Sequence, residues 1–308
     1  MNLFIELLVA GSIAGAKVGI AALGFALIFY TTREMHFAFG AVSVAAAYPC
    51  YWVIKALGEG PLVALMGLTA ACAVAVLFSI ALHKYVYLRL RSVLPVVMAS
   101  LGVSLIVENV VQIIAGPDIQ VVSYPALLTI VEIGPVRLRV LEIGVLVLFV
   151  VIAVVIDVFM NHTRLGQGLG ATMDDPEMAE LVGVRTSRMR IGAYAAGAAL
   201  GALSGVVMLI DTGLKPANGF SLLLYALIIT IVGRGSLRSV AIWSILFGVI
   251  RSLWAWQFSA DLQELAVFAL MVAYLVSRDA WDRYQFNRIR PLTRPLPPPE
   301  PGVNPQGS

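Results

Sequence analysis

LGQGLGATMDDPEMAELVGVRTSRMR, Leu165 to Arg190, is the one long polar run in a chain that is otherwise almost continuously apolar, and it divides that chain into two halves. With 60% hydrophobic and 13% charged residues and a mean hydropathy of +0.91, the sequence lies far from soluble proteins, in which about a quarter of residues are charged. The apolar runs on either side have the roughly 17 to 25 residues that a helix needs to cross a bilayer. Helices are required there because the backbone must satisfy its own hydrogen bonds. A transmembrane barrel would show short alternating segments, and this sequence has none. The expected fold is therefore all-α, a polytopic transmembrane helical bundle of about eight or nine spans.

Nine apolar segments flank the polar run, at 4–30, 37–57, 61–82, 93–115, 141–160, 191–211, 221–233, 239–257 and 262–277. The first has neither a basic lead nor a small-residue cleavage site, so it reads as a span and not a removable signal. Threaded alternately with the N-terminus outside, the segments gather Lys84, Arg89, Arg91, Arg164, Arg185, Arg188, Arg190, Arg234, Arg238, Arg278, Arg283, Arg288, Arg290 and Arg294 on one side. That is fourteen of the 21 Lys and Arg residues, and the positive-inside rule makes that side cytoplasmic. The polar run and the C-terminus then face the cytoplasm and the N-terminus faces outward. Residues 1–290 read as one transmembrane domain with a cytoplasmic loop at 164–190. The Pro-rich tail at 291–308 has no apolar period and is expected to be disordered.

The 221–233 segment is too short to span at 1.5 Å per residue and reads as a half-helix. Gly116-Pro117, Tyr124-Pro125 and Gly134-Pro135 punctuate 116–140, which predicts an irregular or hairpin-like outer loop. Gly11, Gly15 and Gly19 in the first segment, and Gly197, Gly201 and Gly205 in the sixth, form ridges that let helix backbones approach closely. By parity these two helices run in opposite directions. The ridges therefore fit two readings, an inverted repeat of segments one to four in six to nine and an ordinary packing device.

Within the polar run Asp175-Pro176 is a helix start, with Asp capping free amides and Pro preorganised for the first turn. Met178, Leu181 and Val182 fall on one face, Glu177 and Glu180 lie elsewhere, and Gly183 ends the helix. So short a helix is not stable alone. Its apolar face packs either on its own bundle or membrane, or on another subunit.

No enzyme site is legible. None of the four lysines lies in a phosphate-binding GxxxxGK[ST] loop, and the three histidines and two cysteines are too scattered to hold a metal. Cys50 and Cys72 sit in apolar segments and read as packed thiols. The net charge of +3 reports topology first, and no nucleic-acid partner is indicated. What remains is intramembrane polarity, which is costly and therefore a default functional signal. Ser100, Ser104, Glu108 and Gln112 recur every four residues with Asn109 beside them. This stripe is expected to face the bundle interior or a water-filled path. Lys17 and Arg251 lie within other segments, and either is a candidate partner for Glu108.

The run GQGLGATMDDPEMAELVGVRTSRMRIGAYAAGAALGALSG resembles the coupling-loop signature of permease subunits in branched-chain amino acid ABC importers. GSIAGAKVGIAALGFALIFYTTREMHFAFG is similar to that family's opening helix and its following Asn-Phe-Ala-His-Gly motif, and MASLGVSLIVENVVQIIAG is a third match. The resemblance implies a type II importer-like permease without bound cofactor. In such systems two cytoplasmic ATPase subunits bind ATP and Mg, a second related permease completes the path, and a periplasmic binding protein delivers solute. It implies that the chain lies in the bacterial inner membrane and that Asp175 to Gly183 docks on a cytoplasmic ATPase. It also draws His36 and Phe37, beside the stripe and Arg251, into the candidate solute path. His36 stands where the family usually has Asn, Phe39 where it has His, Glu108 where it has Gln, and Arg251 where it has an acid. The alternative is a self-sufficient secondary carrier or channel built on Glu108.

Overall fold

The computed structural model describes residues 2–257 apart from 91, 123, 134 and 135, together with 269, 272–273 and 276–277. In chain order the elements are α1 (Asn2–Thr32), α2 (Phe39–Leu57), α3 (Pro61–Tyr85), α4 (Val93–Ala115), the short α5 (Pro125–Leu128), β1 (Ile130–Ile133) and β2 (Val136–Arg139). They are followed by α6 (Val140–His162), α7 (Arg164–Asp174), α8 (Pro176–Leu181), α9 (Thr186–Asp211), α10 (Asn218–Gly233) and α11 (Leu237–Gln257). Seven helices among the described residues are long and apolar enough to cross a membrane, namely α1 to α4, α6, α9 and α11. The chain is a multi-pass membrane protein built as a helical bundle.

These elements belong to one compact unit, Met1–Gln263; a second unit, Glu264–Ser308, holds five described helical residues. The expected ninth segment lies largely, and the 291–308 tail wholly, outside the described residues. The 116–140 loop, expected to be irregular or hairpin-like, contains a hairpin, with β1 and β2 antiparallel in the register Ile130 to Arg139 through Ile133 to Val136. At 16 residues, α10 is longer than the 13 expected but still about 24 Å long, short of a hydrocarbon core of about 30 Å.

Apolarity alone does not decide which helix is buried. The segment Ile20–Ile28 of α1 is buried on all sides, and α1 touches α9, α10, α11 and α6. By contrast α6 has a mean hydropathy of 3.1 yet buries only Leu141, Val145 and Phe149. In lipid, exposing Val or Leu costs nothing, so close packing follows small residues. At Gly24 a Cβ would come within 2.6 Å of the Gly197 carbonyl oxygen, and at Gly11 within 2.6 Å of the Val249 backbone. Only glycine permits these approaches.

Both glycine ridges are thus packing surfaces, and the neighbour relations they set are two-fold. Helix α1 lies on α11 as α9 lies on α3, α1 crosses α10 as α9 crosses α2, and α2 packs on α3 as α10 packs on α11. The pairs α1–α9 and α2–α10 meet each other. Residue numbers run oppositely across α1 and α9, with Gly24 at Gly197 and the Lys17 carbonyl at Ser204. An inverted repeat of α1–α3 in α9–α11 has this pattern.

Candidate functional site

The starts of α2 and α10 meet inside the bundle. A Cβ at Gly40 would overlap the Gly219 carbonyl oxygen, and one at Gly219 would lie 2.8 Å from the Ala41 backbone. Both helices follow an alanine in αR conformation, Ala38 and Ala217, with no side-chain cap. Each first residue donates its amide three positions back, Phe39 to His36 and Asn218 to Lys215. Phe39 and Ser43 pack against Gly201, near the middle of α9. Thus α2 begins level with the middle of α9 and not at its end. The repeated Ala-X-Gly, Ala38-Phe39-Gly40 and Ala217-Asn218-Gly219, is the sequence signal for this meeting, and inspection of spans alone misses it.

The turn that leads into α2 carries a buried polar cluster. His36 is wholly buried, its Nδ1 lies 2.8 Å from the Tyr87 hydroxyl, and its ring contacts Phe39, Tyr87 and Tyr194. Burial drives the imidazole down to about 3, with opposing help from Glu34 too small to prevent it, so His36 is neutral. The Tyr194 hydroxyl donates to Glu34 Oε2 at 2.6 Å, and His83 Nδ1 stands 3.4 Å from the same oxygen. Burial alone would raise the Glu34 carboxyl, but these neighbours and Arg190 outweigh it and hold it below the usual range. Ser100 completes the cluster, its hydroxyl accepting from the Phe37 amide at 3.2 Å and lying 3.3 Å from the Met35 carbonyl. His36, Phe37 and Ser100 are thus brought together. Glu34, His83, Tyr87 and Tyr194 were not anticipated, because they are scattered in sequence: Glu34 follows α1, His83 is in the last turn of α3, Tyr87 lies just beyond it and Tyr194 is in the third turn of α9.

Beyond Ser104 the stripe does not turn inward. Ser104 is buried, Glu108 is half-buried, and Asn109 and Gln112 are exposed, since α4 packs chiefly on α2 and through its first half. Asn109 satisfies itself on the Leu105 carbonyl at 2.7 Å. Among the described residues no ion pair joins Glu108 to Lys17 or Arg251. Lys17 Nζ instead binds Asp211 Oδ2 at 2.7 Å, while Arg139 binds Asp211 Oδ1 at 2.7 Å and Glu142 at 2.8 Å. The Arg251 guanidinium lies over the Tyr225 ring, 5.2 Å from its centroid. Asp211 ends α9 and was overlooked because it falls at a segment boundary.

The polar run is helical over more of its length than its glycines indicated. Helix α7 starts at Thr163, whose hydroxyl accepts from the Gly166 amide at 2.9 Å. Asp175 then caps α8 as expected, accepting from the Glu177 and Met178 amides at 3.0 and 3.1 Å. Gly183 has φ +90°, and the chain turns there. Ala179 is buried, Glu180 bonds the Thr186 hydroxyl, and Pro176 opens the first turn. Met178, Leu181 and Val182 are 60%, 81% and 76% exposed. Among the described residues nothing covers this apolar face. The end of α7 is tied to the α1–α2 turn, where the Arg33 guanidinium donates to the Met173 carbonyl at 2.7 Å.

Comparison with known proteins agrees with this architecture. Residues 7–275 match the family model described as branched-chain amino acid transport system / permease component. The chain is 22% identical over 288 residues to the high-affinity branched-chain amino acid transport system permease protein LivH of Escherichia coli, covering 89% of this chain and 93% of that one. It is 23% identical over 291 residues to the corresponding protein BraD of Pseudomonas aeruginosa, covering 89% and 94%. A probable branched-chain amino acid transport permease LivH of Methanocaldococcus jannaschii is 25% identical over 217 residues, 70% of this chain and 69% of that one. No solved structure matches.

Proposed function

The chain belongs to the branched-chain amino acid transport permease family, and from that premise we propose that it is one permease subunit of an ATP-driven importer in a bacterial inner membrane. Its solute is a branched-chain amino acid or a related small polar molecule. The observation that carries this reading is α8, a capped helix that presents Met178, Leu181 and Val182 to solvent. Of two cytoplasmic ATPase subunits, which bind ATP and Mg, one docks on that face; the chain itself performs no catalysis. The basic end, with Lys84, Arg89 and the 164–190 run, faces the cytoplasm. The N-terminus is then periplasmic and the C-terminus cytoplasmic.

Movement of α8 passes through α7 to the Met173 carbonyl, and through its bond with Arg33 to the turn that sets the start of α2. ATP-driven closure of the docked subunits thereby shifts the balance between outward- and inward-open bundles. The exposed half of the α4 stripe, Glu108, Asn109 and Gln112, lines the path shared with a second, homologous permease. A periplasmic binding protein supplies the solute. Replacing Met178→Asp together with Leu181→Asp tests the docking role. Both side chains are exposed, so insertion is expected to remain normal while ATPase co-purification and solute uptake are lost. Wild-type uptake by this variant would remove the basis of the proposal.

A further inference from the structure

A groove of about 1000 Å³ runs between α3, α6 and α9 and ends at the polar run. This is at the upper end of ligand-site volumes, roughly 300–1,000 Å³. Its walls are almost entirely apolar, including Leu68, Val151, Val155 and Phe159. Its floor is lowered by Gly192 and Ala196 on α9, and a Cβ at Gly192 would meet nothing within 4 Å. Charge appears at one end alone. Arg164, Arg185 and Arg188 are exposed there; among the described residues no Asp or Glu lines the groove, and none of the three guanidinium groups has a hydrogen-bond or ion-pair partner. From Arg188 to Leu203 the groove follows α9 for about 22 Å, more than the depth of one hydrocarbon leaflet, about 15 Å.

We propose that this groove is a binding site for one anionic phospholipid, with acyl chains against α6 and α9 and the phosphate on Arg164, Arg185 and Arg188. The charge pattern selects this occupant. A transmembrane helix of another subunit would fill the apolar part and leave three cations unmatched, whereas an anionic lipid offers an apolar body and a charged head at the same spacing. Three arginines on one headgroup favour an anionic over a zwitterionic lipid, because each basic residue near a membrane surface adds attraction to a net negative headgroup. Gly183 and Val184, which close α8, border the same mouth. The bound headgroup therefore braces the base of the docking helix.

The test uses the full chain, delipidated in detergent and titrated with dioleoylphosphatidylglycerol, dioleoylphosphatidylcholine or inorganic phosphate. Native mass spectrometry counts bound lipid, and the rate of maleimide labelling at Cys72, which lines the groove, reports its location. One phosphatidylglycerol per chain is expected, retained at least about tenfold better than phosphatidylcholine, with labelling of Cys72 slowed. Joint replacement Arg164→Gln, Arg185→Gln and Arg188→Gln should abolish the headgroup preference. Gly192→Leu with Ala196→Leu, which fills the groove without touching charge, should weaken both lipids. Equal retention of the two lipids by wild type, or Cys72 labelling unaffected by phosphatidylglycerol, would overturn the proposal. So would displacement of the lipid by phosphate alone, or cross-linking of Ala196→Cys to another subunit in the assembled transporter.

Discussion

Asp211 holds two cations at once, and its replacement separates their contributions. Its side chain is 6% exposed, against 23% for Lys17 and 33% for Arg139. Removing the shared carboxylate strands the part-buried Lys17 beside Arg139, which keeps only Glu142, whereas removing Lys17 leaves Asp211 still bound to Arg139. Breaking a buried pair from the side that strands charge costs roughly 3–5 kcal/mol, and partly exposed partners reduce this. Asp211→Asn is therefore expected to destabilise the protein by about 3 kcal/mol and Lys17→Met by about 1 kcal/mol, read as thermal unfolding midpoints in one detergent. Equal losses would mean that Lys17 and Arg139 do not share the acid. This network takes Lys17, one of the two expected partners of Glu108, for a simple reason. Spacing along one helix shows which polar groups share a face, but the partner of a cation depends on which helix end lies at its height, and Asp211 reaches Lys17 from a helix that begins 169 residues later.

At the scale of elements, the meeting of α2 and α10 is the feature that spans alone did not reveal. Gly40 admits no side chain because the Gly219 carbonyl occupies the place of its Cβ. In contrast Gly102 and Gly144, also within helices α4 and α6, face open space. Gly40→Ala should therefore sharply reduce the yield of folded protein, while Gly102→Ala and Gly144→Ala leave it unchanged, as monodispersity in detergent would show; a monodisperse Gly40→Ala protein would mean that the two helix starts are not held in contact. Capping chemistry was legible because it is local, as with Asp175 and its two amides. Span positions were legible because hydropathy is additive along a run. The depth at which α2 starts was not, since it follows from the return of the 33–38 turn into the bundle, where His36 and Phe37 are held by Tyr87, just beyond α3, and Ser100, on α4. Helix α7 was missed because Gly166, Gly168 and Gly170 read as a loop. In the structure Thr163 caps it, and Gly166 packs closely on the end of α6.

For the whole molecule, the two-fold neighbour pattern leaves α4 as an outlier, since it packs chiefly on α2 while its second half carries polar groups into the open. Exposure of α6 needs no partner, because Val147, Val151 and Val154 are at ease in lipid. Exposure of α4 does, because a carboxylate in the hydrocarbon costs roughly 2.5–3.5 kcal/mol near its centre, and Glu108, Asn109 and Gln112 lie along one side of the helix. Under the proposed function, the difference favours α4, and not α6, as the helix that meets the second permease or the path between the two. With Cys50 and Cys72 replaced by serine, Gln112→Cys is expected to form an oxidative cross-link between permeases in the assembled transporter, and to be shielded from aqueous thiol reagents when solute-loaded binding protein docks. Val154→Cys on α6 should do neither. Cross-linking through Val154 with none at Gln112 would place the subunit interface on the apolar face, and the polar stripe would then have to be accounted for within the single chain.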